Sequence, residues 1–376
     1  MRTRELGIRA GVLSPGPHDA ITDVEGVRVG HSTIVRGEGP LVVGEGPVRT
    51  GVTVVCPREG LARDEPVFAG SHRFNGNGEM TGLEWIREAG ALATPVAITN
   101  THSVGVVRDA LVRAEIEART DEEDYWSLPV VGETYDGTLN DINGQHVTAE
   151  HALRALASAS TGPVQEGSVG GGTGMICHEF KGGIGTASRR LREEEGGWTV
   201  GTLVQANYGR RSMLRVDGAP VGRVLSTGLV PSPYEEEETQ PAGMGSIIVI
   251  LATDAPLLPT QCDRLAMRAS IGLGRMGGGL DDSSGDIFFT FATGNRGIPR
   301  AGLSRPPATV PLRMVSNDYM TPLFHAAAEA TEEAILNALL ASGDMTGRDG
   351  ITAHGLTPEL LLGALEEARA PGTGAK

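Results

Sequence analysis

The sequence predicts a layered α+β fold, in which sheets are covered by helices. Three observations point there. Short β-rich segments and helical segments occur in mixed order, without the regular strand, helix, strand alternation of a doubly wound sheet. Two apolar runs, 247–251 and 287–292, have the unbroken character of strands buried on both faces. Glycine supplies 54 of 376 residues, about twice average usage, with no collagen-like period, which signals many tight turns and close backbone approaches.

In chain order, ITDVEGVRVGHSTIV, GVTVVCPR and TPVAITN are β-branched runs bounded by Gly, Pro, Asp or Asn, and read as strands. Residues 104–118 place Val107, Leu111 and Ile116 at broadly helical spacing, and 148–160 begin with Thr148 as an N-cap. Strand-like segments return at 196–206 and 213–229. Then comes PSPYEEEETQPAGMG, where four consecutive glutamates, Glu235 to Glu238, and three prolines predict a solvated acidic loop. That loop runs directly into SIIVILATDAPLLP. Helices are expected at 259–271 and 321–341, with the 287–292 strand between them. No repeat of 20 to 50 residues is present.

Composition narrows the function classes. A net charge of −15 argues against a nucleic-acid partner, which needs a concentrated positive footprint. No apolar run approaches the roughly 18 to 20 residues that span a bilayer. The N-terminus has basic residues but no continuous apolar core behind them, so a cytoplasmic protein is expected. Cys56, Cys177 and Cys262 lack CxxC spacing and read as buried reduced thiols rather than disulfides or a zinc site. The sequence holds no cluster of residues with metal-ligand spacing.

The common hydrolase signatures, GxSxG, HExxH, SxxK and the Walker loop, are missing. GLGRMG at 272–277 has dinucleotide-loop spacing, but a helix precedes it and a Gly-rich loop follows, the reverse of what that motif requires. Gly245-Ser246 stands at the junction of the acidic loop and a core strand. A serine hydroxyl can attack the carbonyl of its own preceding residue, and a glycine there allows the strained backbone this needs. The freed α-amine, with an ordinary pKa of about 7.7 to 8.0, could then help take the hydroxyl proton. On spacing alone, the simpler account is that Gly-Ser merely opens a strand. In DDSSGDIFF, Ser284 and Asp286 lie two apart, so that in an extended segment they form a hydroxyl and carboxylate pair, or else a turn that starts the strand. The Gly-rich stretch 166–189 offers backbone N–H groups and Lys181 to an oxyanion, Asn207 offers an amide donor, and Tyr135 lies in GETYDGTLND.

Taken together, these segments resemble the DmpA-type aminopeptidases, also called the P1 or β-peptidyl aminopeptidase family. The resemblance rests on ITDVEGVRVGH, NGNGEMTGLEWIREAG, ITNTHSVGVVRDA, GETYDGTLND, GGTGMICHEFKGGIGTASR, GSIIVILATDAPLLP and SSGDIFFTFATGN, in that order along nearly the whole chain. It implies a four-layer αββα sandwich of the N-terminal-nucleophile type and one layered catalytic unit over 1–376. It implies self-cleavage between Gly245 and Ser246, giving fragments of 245 and 131 residues. Ser246 would be the nucleophile, Ser284 and Asp286 its partners, Asn207 the oxyanion donor and Tyr135 a substrate or oxyanion group. Lys181 falls in a matching block. Asp286 or Glu133 would hold the substrate's ammonium. Substrates would be short peptides, amides or esters with a free N-terminus, carrying L-amino acids, D-Ala or β-amino acids, and protomers would form a homo-oligomer. Position 286 carries Asp where at least some β-peptidyl members have Glu, which puts the substrate class in doubt. Two rivals remain: an ornithine-type acetyltransferase, which uses Thr as its new N-terminus, and an uncleaved binding protein of the same fold.

Overall fold

The computed structural model describes residues 1–119, 125–234, 245–300 and 307–370; the acidic run Glu235 to Glu238 lies outside them. Four strands, β1 (Arg28–Arg36), β2 (Val48–Cys56), β5 (Val96–Asn100) and β6 (Val130–Thr134), form one sheet in the order β1-β2-β5-β6. A second sheet has six strands in the order β4-β3-β12-β11-β10-β9. It comprises β3 (Val67–Gly76), β4 (Ala91–Leu92), β9 (Gly183–Arg190), β10 (Thr199–Asn207), β11 (Ser246–Thr253) and β12 (Gly285–Ala292). A small hairpin, β7 (Ile176–Cys177) with β8 (Phe180–Lys181), precedes β9.

Apolar patterning sets the layers. Along β11, Ile248, Ile250 and Ala252 face a core shared with Val55, Ile98 and Val130 of the other sheet. The alternate residues Ile247, Val249 and Leu251 face α4 (Pro259–Met267), α5 (Ala269–Arg275) and α6 (Met320–Leu340). Because successive strand residues point to opposite faces, one continuous apolar run serves two cores. On the far side, α2 (Val104–Ala118) and α3 (Ala149–Ala157) cover the four-stranded sheet through Val107, Leu111, Ala152 and Ala155. The result is the expected α, β, β, α stack. Helices α1 (Leu83–Ala89) and α7 (Pro358–Arg369) are the others among the described residues.

Three sequence expectations need correction. Residues 213–229 are not a strand: they form short 3-10 turns, Arg211–Met213 and Val221–Arg223, around an isolated Val216 to Ala219 bridge. Gly218, Pro220 and Gly222 break the run. In place of a ladder, the buried Arg211 guanidinium donates to the carbonyls of His178 (3.0 Å), Glu179 (2.7 Å) and Val230 (3.0 Å) while lying 3.6 Å from the Phe180 ring centre. The helix expected at 259–271 is two, α4 and α5, parted at Arg268. In α2 the buried stripe is Val104, Val107, Leu111 and Glu115, leaving Ile116 exposed. Spacings of three, four and four residues keep one face, so the acid and not the isoleucine turns inward.

The inter-sheet core sets stability. Phe289→Ala, which empties a fully buried ring site, is expected to cost about 3 to 5 kcal/mol in urea unfolding.

Candidate active site

Three neighbouring strands meet at one end of the six-stranded sheet. Ser246, the first residue of β11, pairs with Asn207, the last residue of antiparallel β10. On its other side it pairs with Gly285, the first residue of parallel β12. Parallel pairing requires a long crossover, which α4 and α5 provide. Ser246 shares the parity of Ile248, and Asn207 that of Leu203, so both side chains belong to the face turned toward the four-stranded sheet. Ser246 is 3% exposed.

Gly285 is flanked by the pair read from the sequence. The Ser284 hydroxyl donates to Asp286 Oδ1 at 2.6 Å, within the buried interior. Asp286 Oδ2 is enclosed with no hydrogen-bond partner. Burial raises the Asp286 carboxyl from 3.8 to about 6, against the lowering effect of the Ser284 hydroxyl and of the Ile247 N–H. Directly before Ser246, the carbonyl of Gly245 accepts from the Gly285 N–H at 3.0 Å.

Asn207 is held at both ends of its amide. Oδ1 accepts from the Ile176 N–H at 2.8 Å, and Nδ2 donates to the Tyr135 carbonyl at 2.9 Å. Tyr135 follows β6, so this contact joins the two sheets at the site. Next along, Asp136 is fully buried and accepts from Asn100 Nδ2 (3.1 Å) and Asn140 Nδ2 (3.0 Å). Desolvation pushes its carboxyl up to about 6. This bracket behind Tyr135 was not singled out in the sequence; its signal was the polar density of GETYDGTLND itself.

Glu133, near the end of β6, lies across a glycine from Gly285. A methyl on Gly78 would stand 3.1 Å from Glu133 Oε1 and 3.2 Å from the Gly285 Cα, a tight fit that a glycine relieves. Oε1 accepts from the Glu79 N–H (2.9 Å), and Oε2 accepts from the Thr101 hydroxyl. Burial raises this carboxyl as well. Neither Thr101 nor Gly78 was read from the sequence, since each is unremarkable until the chain folds.

Lys181 is placed differently from the other candidates. It is fully buried, and its ammonium donates to the carbonyls of Gly172 (3.3 Å), Met175 (2.9 Å) and Gly182 (2.7 Å). An ammonium has three donors, so all are spent inside the Gly-rich loop. Desolvation lowers it to about 7. No group of His, Cys, Asp and Glu suited to hold a metal occurs among the described residues. The three cysteines are free and buried.

Comparison with known proteins decides the family. The description Peptidase family S58 matches residues 19–353. The chain belongs to peptidase family S58. Beta-peptidyl aminopeptidase BapA of Sphingosinicella microcystinivorans is 49% identical over 98% of this chain and 92% of its own length. A second BapA, from Sphingosinicella xenopeptidilytica, is 41% identical over the same shares. Among solved structures, a Burkholderia sp. β-aminopeptidase superimposes with a TM-score of 0.92 at 61% identity, covering 98% of this chain and 99% of that one. The L-aminopeptidase D-Ala-esterase/amidase of Ochrobactrum anthropi, described as a variant of the Ntn hydrolase fold, gives 0.86 at 43% identity over 97% and 98%. This S58 protein is thus a serine aminopeptidase on an Ntn-hydrolase sandwich. Among its described residues no helix is long and apolar enough to cross a membrane.

The carboxyl of Asp286 yields a prediction with a definite sign. Its folded pKa, about 6, lies above its ordinary 3.8, so the folded state favours the protonated form. The associated stability is present below 3.8 and is lost as pH rises through 6. A gap of two units corresponds to about 3 kcal/mol. Asp286→Asn is therefore expected to be more stable than the wild type at about pH 8 and equal to it at about pH 3.5, by urea unfolding at both.

Proposed function

We propose that this S58 aminopeptidase activates itself by cleavage between Gly245 and Ser246, and that Ser246 then serves as its N-terminal nucleophile. The observation that carries this reading is the bond from the Gly285 N–H to the Gly245 carbonyl at 3.0 Å. It places a donor on the oxygen that would gain charge if the adjacent Ser246 hydroxyl attacked that carbonyl. The Oγ–C bond forms as the C–N bond breaks, leaving an ester and the Ser246 amine. Water then cleaves the ester, giving a carboxylate on Gly245 and restoring the hydroxyl.

In turnover, Ser246 attacks the first carbonyl of a peptide, amide or ester. Asn207, with its amide orientation fixed by Ile176 and Tyr135, helps stabilise the oxyanion. Tyr135 borders the same position. The Ser284 and Asp286 pair relays the proton between nucleophile and leaving amine. Glu133 receives the substrate's free ammonium, which accounts for a requirement for an unblocked N-terminus. Lys181 supports the loop that presents Ile176 to Asn207.

Among N-terminal residues we favour β-amino acids. The relatives at 49% and 41% identity, and the structure at 61%, carry β-peptidyl or β-aminopeptidase names. The same reading includes a homo-oligomer of cleaved protomers in the cytoplasm. No step in it calls for a metal or organic cofactor.

Intact mass of the purified protein should show chains of 245 and 131 residues, the shorter beginning Ser-Ile-Ile-Val. Ser246→Ala should remain a single chain and hydrolyse no β-alanyl or L-alanyl p-nitroanilide; a variant that still splits here would overturn the assignment. Asn207→Ala should lower kcat by about 10² to 10³ with a smaller effect on KM, measured on fully cleaved enzyme.

A further inference from the structure

At the end of the four-stranded sheet away from Ser246 lies a cavity of about 100 Å³. Its lining includes Arg28 at the start of β1, Cys56 at the end of β2, Arg58, Leu111 and Glu115 of α2, and Leu156 of α3. Strand β5 begins at this end with Val96 and finishes at the site end with Asn100, so the two regions stand about 15 Å apart.

The cavity's lining residues carry buried polar atoms of both signs that make no hydrogen bond. Glu115 is 4% exposed, and its Oε2 is enclosed without a hydrogen bond. Arg58 is 3% exposed; Nη2 donates to the carbonyls of Thr293 and Asn295, but Nε and Nη1 make no hydrogen bond. The nearest carboxylate to Nη1 that forms an ion pair is Glu65, at 3.7 Å. Arg28 Nη2 donates to the Arg58 carbonyl, and its Nε is likewise enclosed and unpartnered. The Cys56 thiol senses both charges, Arg28 lowering and Glu115 raising its pKa beneath the larger upward effect of burial. Folded proteins rarely leave buried polar groups unsatisfied, because their desolvation is costly; here it raises the Glu115 carboxyl to about 7, against the lowering effect of Arg63.

An inorganic anion would satisfy the guanidinium groups and leave Glu115 facing like charge. A simple cation would do the reverse. A molecule with a carboxylate at one end and an ammonium at the other answers both. A cavity of this size has room for several waters, and so for a molecule the size of alanine or β-alanine.

We propose that this cavity is a second, non-catalytic site for a small free amino acid, carboxylate toward Arg28 and Arg58, ammonium toward Glu115, and carbon skeleton against Leu111 and Leu156. Aminopeptidase action releases molecules of this class, so the site senses product. The assignment is independent of how Ser246 is generated.

Titration calorimetry of the full-length enzyme with β-alanine and with L-alanine, using acetate and methylammonium as single-charge controls, tests it. One amino acid per chain should bind to the wild type and to Glu133→Gln, which alters only the candidate active site. Affinity should fall about tenfold or more in Glu115→Gln and in Arg58→Met, while peptide hydrolysis without added amino acid stays at the wild-type rate. Should Arg58→Met fail to fold, the isosteric Glu115→Gln decides the question. Absence of binding by either amino acid would mean that water fills the cavity. Acetate binding as tightly as the amino acids would make it an anion site. Binding lost in Glu133→Gln but kept in Glu115→Gln would assign it to the active site. Each of these three outcomes overturns the proposal.

Discussion

Everything at the candidate site depends on β11 being paired along both edges and buried on both faces. A strand held in this way has no freedom to shift, because a slip of one residue would exchange the apolar sets that fill two separate cores. Its first residue, Ser246, is consequently fixed between Asn207 and Gly285. The neighbours of the hydroxyl are set by sheet register rather than by loop conformation. On the proposed mechanism this is the preorganisation that acyl transfer needs, since donors already in place require no reorganisation when charge develops.

Holding the site in the interior opposes stability. Ser284, Asp286 and Glu133 are each under 5% exposed, and both carboxyls are pushed toward their neutral forms by desolvation. The layered cores offset this, together with a buried ionic bracket elsewhere in the six-stranded sheet. There, Arg189 of β9 meets Glu329 at 3.1 Å and Glu333 at 2.6 Å, both on α6. Its Nη2 also donates to the Ala10 carbonyl. Gly185 allows α6 to lie this close: a methyl there would stand 1.9 Å from the Ala334 carbonyl oxygen. Stiffness is thus supplied by the sheets and helices, while the buried carboxyls stand at the strand ends.

The glycine-rich stretch 166–189 shows how composition serves geometry. Its backbone folds around the Lys181 ammonium and delivers the Ile176 N–H to Asn207. Lys181, whose charge suggested contact with an oxyanion, spends its three donors on carbonyls of this loop.

The sequence by itself determined the layered α+β class, the buried strands at 247–251 and 287–292, the Ser284 and Asp286 pair, and the position of Gly245-Ser246 at the start of a core strand. Each of these is written in local periodicity or in residues adjacent along the chain. It misjudged 213–229, because β-branched residues favour strands only where a ladder partner exists, and here Gly218, Pro220 and Gly222 leave only an isolated Val216 to Ala219 bridge. It placed Ile116 inward when Glu115 holds that position, since one residue of helical phase is beyond what loose spacing resolves. Only the tertiary structure decided that Asn207 stands opposite Ser246, that Glu133 faces Gly285 across Gly78, and that Arg28, Arg58 and Glu115 enclose one cavity. Those juxtapositions join residues far apart in the chain, and they follow from strand register and packing, which depend on every core contact at once.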